Sequence, residues 1–207
     1  MATGFSKDRS NIYFWFDSEY TTLELDKACL LQVALVITDS ELKRLTTDPG
    51  LSMYVRLPPG HEPAAWVKEN QADVLKGSAA QGLPVLEVDR RLAQYVDNAI
   101  GPPGDSERFR PILAGNSIHS DWILVRRFLP EFVRRMNYRL LDVTGLKLQW
   151  DQYWKGDRFD KDTPEQIRRF FPEAQLDATS VRHDAFFDAQ ASIAELAYYR
   201  SRLEMRR

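Results

Sequence analysis

The spacing of apolar residues along the chain changes near residue 60 from a strand-like to a mainly helical pattern. Before that point, three apolar or alternating segments joined by short links predict β-strands over residues 11–18, 29–38 and 52–57. The second segment is apolar almost throughout, which is typical of a strand buried on both faces of a sheet. Because the connecting links are short, we expect these three strands to pair in antiparallel order.

Helical periods dominate the rest of the chain. Two further strands are predicted over 111–116 and 138–143, and helices over 63–76, 84–100, 118–129, from the fifth strand to about 154, 163–171 and 184–204. Because helices separate the last two strands, we expect these strands to pair in parallel through right-handed crossovers. The pattern predicts a single α/β domain over residues 1–207, with a five-stranded mixed sheet flanked by helices. A short flexible tail is expected at 1–10.

Composition and charge fit a globular protein. Of the 207 residues, 43% are hydrophobic and 28% are charged, which is enough for one ordinary core. The formal net charge of −2 argues against a protein that wraps long nucleic acid through many phosphate contacts. It leaves room for a small acidic site that takes short nucleic acid together with metal ions. Four Arg pairs, at 90–91, 126–127, 134–135 and 168–169, are interpreted as solvated helix faces.

Two features indicate the compartment. The N-terminus lacks the apolar stretch of a signal peptide, and the longest apolar run is far too short to span a membrane. The lone cysteine, Cys29, lies in a strand-like segment, so we interpret it as a small core residue in a reducing compartment. A cytoplasmic protein is therefore expected.

Two carboxylates interrupt the aromatic first strand, in the segment FWFDSEY at 14–20. Alternate side chains of a strand point to the same face, so Asp17 and Glu19 are expected to face one spot. Leaving both charges buried and unpaired there is costly unless something neutralises them. The segment therefore predicts a positive partner, supplied by a metal ion or by the rest of the chain.

Further candidate residues lie on two later helices. Asp121, next to Trp122, and Asp188, next to Ala189, border the buried sides of their helices, although each alone is more often a surface acid or a cap. His183 precedes Asp188 by five residues. Five helical steps place two residues about 140° apart, so His183 is expected at or before the helix start. Two other histidines, His61 and His119, are interpreted as structural or surface residues.

The candidate acids and His183 are more informative together than singly. Hard oxygen ligands with no Cys and few His select Mg²⁺ or Mn²⁺ rather than zinc. Several acids and one histidine suit a phosphodiester hydrolase with two metal ions, in which the histidine deprotonates the attacking water.

The ordered set resembles the DEDDh 3′–5′ exonucleases, which have the ribonuclease H-like fold, and within them the chain looks most like oligoribonuclease. The likeness covers roughly residues 11–202. It includes FDSEYTTLELDKACLLQVALVITDSEL, LAGNSIHSDWILVRRFLPEF, YRLLDVTGLK and HDAFFDAQASIAELAYYR. Asp-x-Glu alone is a weak signal, whereas all five residues in order, each in its expected element, are a strong one.

The resemblance implies roles for the five residues. Asp17, Glu19 and Asp188 would hold a first Mg²⁺ or Mn²⁺ ion, and Asp17 would bridge to a second. Asp121 would support the second ion through water, and His183 would be the general base.

The resemblance also implies a substrate site for short single-stranded oligonucleotides. Leu23 matches a leucine that wedges against a base, and Trp66 matches a stacking tryptophan, with a core position as its equal alternative. Asn116 and Ser117 would contact substrate near the second metal. Four residues match a cluster that caps the 5′ phosphate across a homodimer: Tyr138, Arg139, Thr144 and Lys147. Asn137 and Thr144 stand where the family usually has histidine and serine.

The leading hypothesis is a metal-dependent 3′–5′ exonuclease that degrades short RNA to mononucleotides. One alternative is a related enzyme that trims longer single-stranded RNA or DNA. A second is an inactive nucleic-acid-binding module on the same fold, and a third is a dimeric scaffold with the acids as surface charge. The complete set of five residues argues against the inactive module, and the aromatic strand around Asp17 and Glu19 argues against the scaffold.

Overall fold

A five-stranded sheet in the order β3-β2-β1-β4-β5 lies at the centre of the fold. The computed structural model describes residues 8–155, 157–176 and 184–204. The strands are β1 (Ile12–Tyr20), β2 (Leu30–Asp39), β3 (Leu51–Tyr54), β4 (Ile112–Gly115) and β5 (Leu140–Asp142). The first three pair in antiparallel order, and β4 pairs in parallel with both β1 and β5. The predicted mixed sheet is confirmed.

Eight α-helices surround the sheet in the described part of the chain. They are α1 (Ala65–Asn70), α2 (Ala72–Gln81), α3 (Val85–Ile100), α4 (Ile118–Phe128), α5 (Pro130–Val133), α6 (Val143–Gln149), α7 (Pro164–Phe170) and α8 (Ala185–Glu204). A 3₁₀ turn covers Glu107–Phe109, and a π-helical turn covers Trp150–Trp154. None of the described helices combines the length and the apolar character that crossing a membrane requires.

The alternation along β1 separates two cores. Phe14 and Phe16, both buried, pack in a cluster that includes side chains of α3, α4 and α5. Trp15 points to the opposite face and packs in a second cluster with α7 and α8. β2 is buried along nearly its whole length, as its apolar sequence predicts. The odd-numbered residues of β1 therefore face α8, and this geometry positions the acids of FWFDSEY.

The predicted helix over 63–76 is wrong in its extent. The chain forms two helices instead, and Gln71 between them has φ −126° and ψ 36°, outside the helical region. The side chain of Gln71 turns inward and donates a hydrogen bond to Glu19. This long-range contact, made across 52 residues, accompanies the break and is invisible in the local helical period.

Two interpretations of surface and core residues also need correction. Cys29 is only half buried, and its Sγ lies 3.5 Å from Nδ1 of His61, whose Nε2 lies 2.8 Å from Thr21 Oγ1. Cys29 therefore contacts a polar group at the edge of the core. Arg135 is not a solvated residue, because its guanidinium binds both carboxylate oxygens of Asp97 at 2.9 and 2.6 Å.

The predicted tail at 1–10 lies largely outside the described residues, which begin at residue 8. Arg9, near the end of that range, is anchored: its backbone N–H donates to Phe109 and its guanidinium donates to Gly101 and Pro102.

Candidate active site

Three carboxylates meet where β1 passes under α8. Asp17 and Glu19 lie on the same face of β1, as the alternation predicts, and Asp188 lies in the first turn of α8. One carboxylate oxygen from each of the three lies within 4.8 Å of the others. Glu19 is 7% exposed, and the other two are partly buried. The sequence-predicted acids from β1 and from the last helix therefore form one cluster.

Asp121 lies beside this cluster and not within it. It is 5% exposed on α4, and its Oδ1 accepts a hydrogen bond of 2.6 Å from Ser18 Oγ. Ser18 points away from the face that carries Asp17 and Glu19. Asp121 thus approaches the strand from the α4 side, but it lines the same cavity as the three clustered acids.

Burial and repulsion between neighbouring carboxylates raise the pKa values of three of the acids at the site. Burial, followed by repulsion from Asp121, Asp188 and Glu19, raises the pKa of Asp17 well above its ordinary value. Burial and the charge of Asp188 raise the pKa of Glu19 to about 8, although the Gln71 hydrogen bond opposes the shift. Burial likewise raises the pKa of Asp121 to about 7 against the effect of Ser18.

This donor set fits a divalent cation. It offers three hard oxygen donors within bridging distance, and a bound cation would oppose the rise in pKa that burial and mutual repulsion cause at Asp17 and Glu19. Within the described residues, the positive charge at the cluster comes from Lys161, whose Nζ lies 3.3 Å from Asp188 Oδ1.

A buried glutamine fixes α8 on the sheet. Gln32 lies opposite Glu19 in the β1–β2 pairing, and its Nε2 donates to Asp184 Oδ2 at 2.8 Å. Asp184 Oδ1 accepts from the backbone N–H groups of Phe186 and Phe187 at 3.0 and 3.1 Å, which caps the helix. Asp188 lies one turn beyond this cap. Its position relative to Glu19 is therefore set by contacts that tie α8 to β2.

A tight turn after β4 shapes the opposite wall. A Cβ on Gly115 would lie 2.7 Å from the carbonyl oxygen of Phe16, so only glycine lets β4 approach β1 this closely. Ser117 follows with φ 51°, in the left-handed region. Its N–H donates to Asp142 Oδ1 and Thr144 Oγ1 at 3.0 and 2.8 Å. These bonds stabilise the turn that leads into α4, the helix that carries Asp121.

His183, the predicted general base, lies outside the described residues, one position before Asp184. Its role stays a prediction.

A cavity of about 720 Å³ opens over the acids. Its lining includes all four predicted acids, together with Leu23, Trp66, Asn116 and Ser117. Leu23 is 86% exposed and Trp66 is 51% exposed. The alternative that Trp66 is a core residue is therefore wrong, and both large apolar side chains are available at the mouth of the cavity.

Comparison with known proteins identifies the family. No family model matches the chain. An oligoribonuclease from Idiomarina loihiensis is 30% identical over 200 residues, which cover 90% of this chain and 91% of that protein. The chain belongs to the oligoribonuclease family. A mitochondrial oligoribonuclease from Homo sapiens is 27% identical over 207 residues, covering 98% of this chain and 77% of that protein.

A solved structure shows the same fold as this oligoribonuclease-family chain. The zinc-bound E. coli exonuclease I–ssDNA complex has a TM-score of 0.68 at 13% identity, over 94% of this chain. The chain spans about two fifths (41%) of the length of that protein. The resemblance drawn from the sequence, the ribonuclease H-like fold and the assignment as a 3′–5′ exonuclease are confirmed.

None of the four residues matched to the oligoribonuclease 5′-phosphate cluster is itself part of the cavity lining. Tyr138 is 57% exposed, with the Arg139 guanidinium 5.3 Å from its ring centroid. Thr144 hydrogen-bonds Ser117 and donates to Asn116 Oδ1 at 3.2 Å, which makes it a support for the cavity wall. Lys147 Nζ lies 3.8 Å from the buried Glu195. Their substrate role stays a prediction.

Sequence reasoning missed three side chains at the site. Ser18 and Gln71 hydrogen-bond Asp121 and Glu19, and Lys161 pairs with Asp188. Ser18 could have been found, because it lies between the two strand acids. Gln71 and Lys161 come from segments whose local pattern gives no signal of this contact.

Proposed function

We propose that the protein is a metal-dependent 3′–5′ exonuclease that hydrolyses short RNA oligonucleotides and releases 5′-mononucleotides. The observation that carries the proposal is the convergence of Asp17, Glu19 and Asp188 within 4.8 Å, in a cavity of a chain that belongs to the oligoribonuclease family. The name of these relatives, oligoribonuclease, supports short RNA as the substrate.

We further propose that the acids hold two Mg²⁺ or Mn²⁺ ions. Asp17, Glu19 and Asp188 would hold one ion, and Asp17 and Asp121 would serve the other. When bound, these ions would neutralise charge on the phosphate and polarise its P–O bonds. The all-oxygen donor set favours Mg²⁺ or Mn²⁺, although the E. coli exonuclease I complex of the same fold is a zinc-bound form.

The chain's own residues orient the substrate in this proposal. Leu23 and Trp66 would hold the 3′-terminal base between them at the mouth of the cavity, and stacking on an aromatic ring contributes about 1–3 kcal/mol per base. This contact does not depend on base identity. Asn116 and Ser117 would contact the nucleotide from the opposite wall.

His183 would accept the proton from the attacking water. It directly precedes Asp184, whose contacts fix the start of α8.

We also propose a homodimer, in which Tyr138, Arg139, Thr144 and Lys147 of one subunit serve the 5′ side of a substrate bound by its partner. Tyr138 and Arg139 are exposed and are not part of the cavity lining of a single chain, which supports contact with a partner subunit. The half-buried cysteine, which carries a free thiol, supports a reducing compartment such as the cytoplasm.

A labelled-substrate assay tests the function. The protein is incubated with 5′-labelled RNA and DNA of two to about twenty nucleotides, in Mg²⁺, Mn²⁺ or EDTA. We expect metal-dependent release of mononucleotides, fastest on the shortest RNA. Progressive ladders from long strands would instead support the enzyme that trims longer substrates. Binding without cleavage in either metal would support the inactive module.

The matched control for this assay is Asp17→Asn, which keeps the shape of the side chain and removes its charge. Its turnover should fall by about a thousandfold or more, because the proposed ligand of both ions loses its negative charge. A rate within tenfold of the wild type would contradict the site assignment.

A further inference from the structure

The wall of the acid cavity contains a single basic side chain among the described residues. Five carboxylates line the cavity: Asp17, Glu19, Glu24, Asp121 and Asp188. Lys161 is the one Lys or Arg in that described lining. A phosphodiester brings its own negative charge into this acidic cavity. Apart from any ions, Lys161 is therefore the group in the described lining that can meet a phosphate oxygen with positive charge.

Contacts of neighbouring residues fix the backbone around Lys161. The sequence alone suggests no function for the surrounding segment, residues 157–176. Phe159, two residues before it, is 7% exposed and packs against the rings of Phe170 and Tyr198, with centroids 6.1 and 5.6 Å apart. On the other side, Asp160 accepts hydrogen bonds from the Asp162 N–H at 3.0 Å and from the Thr163 hydroxyl at 2.5 Å, where α7 begins. Lys161 thus lies in a turn fixed from both directions.

The present partner of Lys161 is one of the proposed metal ligands. Its Nζ lies 3.3 Å from Asp188 Oδ1, and the side chain is 30% exposed, so the ammonium borders open space. A divalent cation held by Asp188 would repel the neighbouring ammonium, whereas an incoming phosphate would attract it. The flexible side chain of lysine allows the charge to move between the two positions.

We propose that Lys161 is a substrate-binding residue, whose ammonium leaves Asp188 when the metal site fills and binds a nonbridging oxygen of the scissile phosphate. This inference rests on the proposed function. In this proposal the segment 157–176 positions Lys161, because the packing of Phe159 and α7 against α8 places the lysine beside the acids.

The proposal predicts opposite effects on metal and on substrate when the charge is removed. In Lys161→Met, Mn²⁺ should bind more tightly in the absence of substrate, because a competing cation next to Asp188 is gone. Binding of a diuridine with a 3′-methylenephosphonate linkage, which cannot be cleaved between phosphorus and the 3′ position, should weaken. A lost charge-assisted hydrogen bond corresponds to about a tenfold to hundredfold loss of affinity. Both affinities are measured by isothermal titration calorimetry, the analogue in saturating Mn²⁺.

Two variants serve as controls. Lys161→Arg keeps the positive charge and should retain most of the analogue affinity. Lys76→Met makes the same change at an exposed Lys–Asp pair on α2, outside the cavity lining, and should alter neither affinity.

Two outcomes would overturn the proposal. If Lys161→Met weakens Mn²⁺ and analogue binding together, the lysine supports the local structure only. If it changes neither, its contact with Asp188 is incidental. Failure of the proposed function is distinguishable, because the wild-type protein would then cleave no short RNA in either metal.

Discussion

The acids of the site accept hydrogen bonds from neutral side chains that are not among the five predicted catalytic residues. Ser18 donates to Asp121 and Gln71 donates to Glu19, and both contacts favour the charged form of a carboxylate whose pKa burial has raised. Asp17 has no such donor among its main influences, and its pKa is raised most strongly by burial and by neighbouring acids. The geometry of the cluster at the level of single residues therefore reflects both repulsion among the acids and orientation by their neighbours.

Removing the Gln71 donor should weaken the site without unfolding the protein. In Gln71→Leu the volume is nearly kept, but Glu19 loses the bond that orients its carboxylate. We expect metal affinity or turnover to fall by about 10–100-fold, the usual effect of losing a partner of a metal ligand. Mn²⁺ titration and initial rates on a diribonucleotide measure the two quantities. Gln81→Leu, at an exposed position on α2, is the control, and equal behaviour of the two variants would contradict the role of Gln71.

The helices and strands bring the acids together through their ends. β1 supplies Asp17 and Glu19, while the Gln32–Asp184 contact sets the start of α8 and with it the position of Asp188. The turn after β4 sets the start of α4 and the position of Asp121. Asp188 and Asp121 therefore depend on contacts at the starts of their helices, and these contacts can be tested separately.

Uncapping α8 should cost both stability and activity. Asp184→Ala removes the acceptor for the Phe186 and Phe187 N–H groups and for Gln32, so we expect a loss of about 1–2 kcal/mol in the free energy of unfolding. Turnover should fall more than tenfold, because Asp188 shifts relative to Glu19. Asp184→Asn retains a capping oxygen for Phe186 and Phe187 but loses the acceptor for Gln32, so its loss of stability should be smaller than that of Asp184→Ala. Urea unfolding measures the loss of stability, and initial rates measure the loss of turnover. A fully active Asp184→Ala enzyme would contradict the claim that the α8 cap positions Asp188.

The close approach of β4 to β1 predicts a second effect on stability. In Gly115→Ala the new methyl group meets the Phe16 carbonyl oxygen at 2.7 Å, so the strands must separate. We expect a loss of about 1–3 kcal/mol. Gly145→Ala is the matched control, because a Cβ there meets no atom within 4 Å. Similar melting temperatures for the two variants would argue against the tight contact.

The local pattern of the sequence predicted the elements but not every contact between them. The alternation in FWFDSEY placed Asp17 and Glu19 on one face, and the small-residue stripe beside Asp188 placed that acid at the buried side of α8. Gln71 and Lys161 could not be predicted in this way, because their contacts span 52 and 27 residues. Such contacts depend on how segments fold back, and periodicity within one segment carries no information about that.

At the scale of the whole molecule, the fold gathers negative charge in one cavity of a nearly neutral protein. The net charge is only −2, yet five carboxylates line one cavity. Without cations, this arrangement opposes folding, because the acids must stay partly protonated or repel one another. Divalent cations should therefore stabilise the native protein as well as enable its chemistry.

The metal-free protein should lose stability as pH rises. Folding raises the pKa of Glu19 from about 4.5 to about 8 and that of Asp121 from 3.8 to about 7. Between these values the folded state binds more protons than the unfolded state, so the free energy of unfolding falls with pH. The limiting slope is about 1.4 kcal/mol per pH unit for each group.

Thermal unfolding in EDTA and in Mn²⁺, from about pH 5 to pH 8, measures this effect. The stabilisation by Mn²⁺ should grow with pH, since the cation binds the charged acids. Asp17→Asn should reduce both the slope in EDTA and the gain from Mn²⁺. A gain that stays constant over this range would show that Mn²⁺ binds elsewhere.

The central claim is that Asp17, Glu19 and Asp188 together hold a divalent cation. Anomalous X-ray diffraction from crystals soaked in Mn²⁺ tests it most directly. We predict a strong anomalous peak among the three carboxylates, with oxygen ligands at about 2.0–2.2 Å, and with Lys161 moved away from Asp188. Manganese peaks found only elsewhere, with Lys161 still bound to Asp188, would contradict the claim.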